Sequence, residues 1–350
     1  MSETLYRGRR AHKLSNGILE IIVTNEGGHI AAVTDLKTGI NPLWSPPWKS
    51  IEPSTYDLSR HPEYGNNAES KLLAGILGHN LCLDLFGGPS GEEAAAGITV
   101  HGEASILPYR VAVEEETLFQ AAEVKDPQLK FRRRIRLPAG TRVAEITETV
   151  ENLANLDRPI AWTQHVTLGP PFLQKGATQF RSTATKSKVI EQNFSGAAGY
   201  MQTGAEFNWP MVPTIDTGAD DLQTFTDRKA SGAFTTHLMD QSATKAWFLA
   251  WNPEHQLAFG YVWNPKDFPW MGIWEENLSR TQPPWNGETI TRGMEFGVSP
   301  FPESRRAMID RRSLFGVPGY RWIPARTKVA VDYKLFLHPA ATVPTKVEEL

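Results

Sequence analysis

Across residues 109–137 and 142–150 the chain alternates apolar and polar residues at every second position, as in RVAVEEETL, LKFRRRIRL and RVAEITETV. Side chains two apart on a strand share a face, so this pattern sets one face on a core and the other in water. Antiparallel sheets are built that way, and a helix could not bury the pattern. Strand-like runs recur in the second half at KAWFLAWN, QLAFGYVWN, MGIWEEN, TITRGMEFG and KVAVDYKLFLH. Near the start, residues 17–24 (GILEIIVT) and 30–34, separated by the turn residues Gly27 and Gly28, predict a first hairpin. The one persuasive helix is 303–314 (ESRRAMIDRRSL), after Pro300 and Pro302. Many strands with almost no helix predict an all-β sandwich or barrel rather than alternating β and α units. No linker, composition shift or repeat divides the chain, so a single domain over residues 1–350 is expected.

Several function classes are disfavoured. A net charge of −3 with Lys and Arg spread along the chain offers no basic stripe for a nucleic-acid backbone. No apolar run approaches the roughly 20 residues of a membrane span. The single cysteine, Cys82, cannot form an intramolecular disulfide, and the start MSETLYRGRR lacks the apolar core of a signal peptide, so a cytoplasmic location is expected. GxxxxGK, GxGxxG after a strand, GxSxG and HExxH are all missing, and the nine histidines are scattered. No metal site and no cofactor are expected. Cys82, within an apolar LCL run, reads as buried and inert.

Residues 41–70, with NPLWSPPW and RHPEYGNNAES, have no sustained period and read as a long ordered loop of the kind retained for function. Four places stand out as candidate chemistry: His79 with Asn80 in GILGHN, His101 in VHGEAS, His165 in WTQHVTLGPPF, and Glu275 or Glu276 in GIWEEN. Each lies in or beside a strand-like run, next to Gly, Trp or Pro, where a polar side chain could project into a cleft. A lone histidine in such a setting is more often a hydrogen-bonded structural residue, so the set carries more weight than any member. The 11 Trp residues suit the C–H faces of sugar rings, although Trp packs cores equally well.

These segments, in this order, resemble the galactose mutarotase (aldose 1-epimerase) superfamily. The opening LSNGILEIIVTNEGGHIAAVTDLKTGINPLW is similar to the family's first hairpin. His101-Gly102 matches the first active-site histidine, VENLANLDRPIAWTQHVTLGPPFL with His165 the second, and GIWEENLSRTQPPWNGETITRGMEFG the late Glu-bearing strand. In place of the family's Asn-Arg pair stand His79 and Asn80. Its sugar-contacting aspartate has no clear counterpart, with Asp216, Asp220 and Asp221 in the corresponding region.

The resemblance implies a β-supersandwich with few short helices. It also implies a small-molecule sugar substrate and anomer interconversion by acid–base ring opening. His165 would be the acid, Glu275 the base and His101 a sugar-orienting group, with His79, Asn80, Trp274 and Asn277 lining the sugar site. Glu275 is preferred over Glu276 because strand neighbours point to opposite faces and Glu275 shares its face with Asn277. The 41–70 loop is expected to border the groove with a Trp or Tyr. Two alternatives stay open at this point: another carbohydrate-processing enzyme on the same scaffold, such as a hydrolase or lyase, and a non-catalytic sugar binder.

Overall fold

The computed structural model describes residues 3–193 and 195–347. Two large antiparallel sheets pack face to face. In the first, of 11 strands, the central order is His79–Leu83, Trp162–Leu168, Ile290–Gly297, Trp270–Asn277 and Ser231–Met239. The predicted N-terminal hairpin, Leu19–Thr24 with Ile30–Asp35, extends one side of it. The second sheet, of eight strands, holds the alternating runs of the sequence: Thr117–Val124, Leu129–Arg136, Val143–Asn152 and Lys328–Pro339. Helix is confined to short pieces. Of the helix expected at 303–314, Arg305–Arg311 forms; Ser304 caps it by accepting from Ala307 N–H, and Arg312 ends it at φ 60°. Among the described residues no helix is long and apolar enough to cross a membrane.

The two sheets differ in what they bury. Strands of the eight-stranded sheet turn one face to the core, and their alternation survives in the burial pattern. The central strands of the larger sheet are buried on both faces. Their inner face carries Trp162, Val166, Met271, Ile273, Met294 and Phe296 into the core between the sheets. Their outer face lies under a second apolar layer that includes Trp44, Leu72, Phe86, Phe301 and Met308, drawn from the loops at 41–76, 84–106 and 300–320. A strand covered on both sides has no reason to alternate, so LLAGILGHNLCLDLF and AWTQHVTLGPPF read as broken apolar runs.

A polar network crosses the middle of the sandwich. The Glu148 carboxylate accepts from Arg133 Nε (2.7 Å) and the Tyr333 hydroxyl (2.7 Å) at one oxygen, and from Trp162 Nε1 (2.9 Å) and Gln164 Nε2 (2.7 Å) at the other. Gln164 Oε1 in turn meets His79 Nε2 at 2.9 Å, while His79 Nδ1 pairs with the Tyr261 hydroxyl at 2.8 Å. His79, expected at the sugar site, therefore faces the inter-sheet core and ties the two sheets together.

Buried histidines make the fold acid-sensitive. Desolvation, the largest cause in each case, pushes His29 and His237 down to about 3 and His101 to about 4, and holds His79 well below its ordinary value. All four are neutral in the native state, whereas in the unfolded chain they take up protons below about pH 6.5. The unfolded state thus binds more protons between pH 6.5 and about 4, and stability falls as pH falls, by up to about 1.4 kcal/mol per pH unit for each group. The urea midpoint should drop steeply between pH 7 and pH 5. A flat profile over that window would contradict neutral burial of these rings.

Candidate active site

A cavity of about 290 Å³ opens on the outer face of the larger sheet. That is the low end of small-molecule pockets, about the scale of one small ring compound. Its floor is set by strand register. His165 is paired with Asn80, and the ladder that matches Gln164 with Phe296 and Thr167 with Gly293 sets His165 across from Glu295. His165 Nε2 and Glu295 Oε1 lie 3.1 Å apart, with both side chains nearly inaccessible. Glu295 is the carboxylate on the cavity floor, and it is not among the candidates that the sequence offers. Its signal is the alternation in TRGMEFG. Gly293, Glu295 and Gly297 share one face, and a Cβ at Gly293 would come within 2.5 Å of Glu295 Oε1. Gly293 clears the space that the carboxylate occupies, while Gly297 lets the strand pass close to Thr163 on its neighbour.

The second histidine arrives from a loop. His101 and Gly102 are both left-handed, at φ 67° and 75°, and a Cβ on Gly102 would sit 2.6 Å from the Leu83 carbonyl. Only glycine allows the chain to pass so close to the strand end. The turn lays the His101 ring against His165, with centroids 4.6 Å apart. His101 Nδ1 donates to the Phe86 carbonyl (2.5 Å), which fixes the tautomer and makes Nε2 an acceptor. The strained φ costs on the order of 1 kcal/mol, and that hydrogen bond offsets it.

Burial governs the charge of the central pair. Desolvation drives Glu295 well above the usual carboxylate range and His165 well below the ordinary imidazole value, with His101 adding to the latter. Neither ion is solvated, so the pair is neutral overall at neutral pH and holds one exchangeable proton. Beside it on the neighbouring strand, Asn80 is fully buried with neither amide atom hydrogen-bonded and does not line the cavity, and His165 Nδ1 is also unpartnered. Cys82, on the same strand face, is buried with its thiol pushed well up by desolvation.

Trp274 forms one wall, its ring 5.9 Å from His165, and Trp285 packs edge-on to it at 6.0 Å. Arg280 lies over the Trp285 ring at 4.6 Å. The 41–70 loop borders the cavity through Glu69, while its Trp44 and Trp48 pack behind Trp285 rather than at the rim.

Glu275, expected as the base, is not in the cavity. Strand alternation does separate Glu275 from Glu276, but it sends Trp274 and Glu276 to the cavity face and Glu275 with Asn277 to the core face. There Glu275 is locked by Arg292 Nη2 (3.2 Å) and the Ser231 hydroxyl (2.6 Å). Asn277 donates to the Arg228 carbonyl and the Ser231 hydroxyl, likewise away from the cavity. Glu276 is spent on the following turn, accepting from Ser279 N–H (2.6 Å), the Ser279 hydroxyl (2.7 Å) and Arg280 N–H (3.1 Å). Asp216, Asp220 and Asp221 do not line the cavity; Asp220 is held by Arg228. Glu275→Gln should therefore act on stability, costing roughly 2–3 kcal/mol by leaving the buried Arg292 without its counter-ion. Urea unfolding reads that loss, and a variant as stable as the parent would refute the assignment.

Among the described residues no cluster of three or more His, Cys, Asp or Glu side chains is spaced to hold a metal ion. No protein-family model matches the chain, and no curated protein is similar to it in sequence. Solved structures are similar in fold. A candidate aldose 1-epimerase from Klebsiella pneumoniae superposes with a TM-score of 0.69 at 14% identity, covering 95% of this chain and 80% of that one. A galactose mutarotase-like protein from Clostridium acetobutylicum gives 0.64 at 12% identity, covering 97% and 98%. The galactose mutarotase related enzyme from Lactobacillus acidophilus gives 0.60 at 10%, covering 95% and 99%. The fold is galactose mutarotase-like. Identity this low carries the galactose mutarotase-like fold and nothing about substrate.

Proposed function

We propose that the chain is an aldose 1-epimerase-like enzyme that interconverts the anomers of a small sugar at the His101–His165–Glu295 site. The observation that carries this reading is the His165–Glu295 contact at 3.1 Å on the floor of a ring-sized cavity. Mutarotation needs the anomeric hydroxyl to lose a proton while the ring oxygen gains one and the C1–O5 bond breaks; reclosure on the other face reverses both transfers. A neutral pair that holds one exchangeable proton suits both directions. One member takes the anomeric proton as the other delivers its own, and the two protonation arrangements are those the pair already shares. His101 Nε2, an acceptor, orients a sugar hydroxyl, and Trp274 offers a face for the ring's C–H bonds. No step calls for a cofactor.

Glycoside hydrolysis would need a second working carboxylate about 5–9.5 Å from the first. Glu69, the other carboxylate lining the cavity, is paired with Arg280. NMR exchange spectroscopy across a panel of aldoses tests the proposal. Accelerated anomer exchange for at least one sugar, lost in His165→Ala, is expected. A panel with no acceleration overturns the mutarotase reading.

A further inference from the structure

The walls of the cavity are mostly apolar, and its polar groups gather at the floor and at one rim. Around the dyad its walls are Leu72, Leu73, Ile76, Val100, Ile190 and Phe234, with Trp274 and Trp285 beside them. The wall opposite the sheet is a fixed one, because the backbone N–H of Val100 (3.1 Å) and the Thr99 hydroxyl (2.6 Å) both bond the Ala68 carbonyl, clamping the His101 loop to the short helix Ser70–Leu73. Beyond His101, His165 and Glu295, the polar groups on lining side chains are Glu69, Gln192, Arg280 and the indole N–H groups of Trp274 and Trp285, the last of them without a partner.

Arg280 is the cation at the rim, and it is already neutralised. Its guanidinium lies 3.5 Å from Glu69 and 3.5 Å from Glu276 and covers the faces of both Trp274 and Trp285. Two carboxylates against one guanidinium leave no positive charge for a phosphate or carboxylate on the ligand. A hexose with hydroxyls at every carbon would turn some of them toward hydrocarbon, and each buried, unpaired hydroxyl is penalised about tenfold or more in affinity.

We propose that the cavity selects an uncharged, deoxygenated pyranose, one in which a C–H or methyl group stands where a hexose carries a hydroxyl, over the parent hexose and over sugar phosphates. This rests on the reading of the cavity as a sugar site, and binding tests it apart from catalysis. Equilibrium dissociation constants of the wild-type protein, read by ligand-observed NMR, are compared for a hexose, its 4-deoxy and 6-deoxy counterparts, and its 6-phosphate, while anomer exchange is measured on the same samples.

At least one deoxy sugar should bind about tenfold or more tighter than the parent, and the phosphate more weakly than the parent. Equal or tighter binding of the parent or the phosphate overturns the selectivity, even if exchange is accelerated. Deoxy preference without accelerated exchange supports the selectivity and overturns the mutarotase reading instead. Failure of every sugar to bind overturns both. Val100→Thr, which places a hydroxyl on the apolar wall with little change of shape, should narrow the deoxy preference by several-fold; an unchanged ratio would count against Val100 as part of the selecting wall.

Discussion

If the His165–Glu295 pair carries the proposed epimerase chemistry, Glu295→Gln should lower anomer exchange by about a hundredfold or more, with the fold intact. The substitution keeps the size of the side chain, and its amide can still hydrogen-bond His165 Nε2 across the 3.1 Å gap. It removes the proton that the proposed mechanism has the carboxyl exchange with the sugar, so bifunctional transfer should stop while His101 and Trp274, the proposed sugar-contacting groups, stay in place. The loss should therefore fall on kcat rather than KM. Stability should hold or rise slightly, because a buried carboxyl whose ionisation is strongly opposed becomes a neutral amide. NMR exchange rates with urea unfolding on the same protein check both halves. A Glu295→Gln variant within a fewfold of wild-type exchange would remove Glu295 from the chemistry, and Glu275→Gln serves as the comparison that alters stability instead.

Glu148→Gln has the largest expected effect on stability, a loss of about 3–5 kcal/mol. Four donors converge on this fully buried carboxylate. An amide presents one oxygen and one NH2, so whichever way it is turned a nitrogen donor, either Arg133 or Trp162 with Gln164, must face another donor, the Tyr333 hydroxyl being able to accept instead. Arg133 also loses the counter-ion that held it at 2.7 Å in a place where it is almost wholly enclosed. Against a typical domain stability of 5–15 kcal/mol, such a loss is a large fraction of the whole. The denaturant midpoint should fall accordingly, with a change under about 1 kcal/mol contradicting the account. Gln164 adjoins His165 on one strand, so near-ultraviolet circular dichroism should report loosening of the tryptophans around the cavity as well.

Much of the site was legible as residue types and unreadable as directions. His101 and His165 are legible as candidates because each sits beside glycine or a strand end, and both line the cavity. His79 and Asn80 are neighbours on a strand and so face opposite ways, His79 into the core network and Asn80 beside His165 on the outer face. The choice between Glu275 and Glu276 used the same alternation correctly and still missed, because alternation says that two residues differ in face without saying which face holds the cavity. Trp274 and Asn277 show the same ambiguity: one lines the cavity and the other is buried behind the sheet.

By itself the sequence determined the all-β class, the antiparallel alternation of the eight-stranded sheet, the first hairpin and the late short helix, since each depends on local periodicity or on nearby turn and capping residues. What the tertiary structure alone decided is everything that depends on a strand covered on both sides. In His79–Leu83, Trp162–Leu168, Trp270–Asn277 and Ile290–Gly297, nearly every position is buried, so polarity no longer marks inside from outside. Register between strands distant in sequence then put Glu295 opposite His165, and segments from five parts of the chain, near residues 69–76, 87–101, 190–192, 280–285 and 302, closed the cavity around them. Glu295 is within reach of a sequence reading only through Gly293, which empties the neighbouring position on its own face so that a buried carboxyl has room.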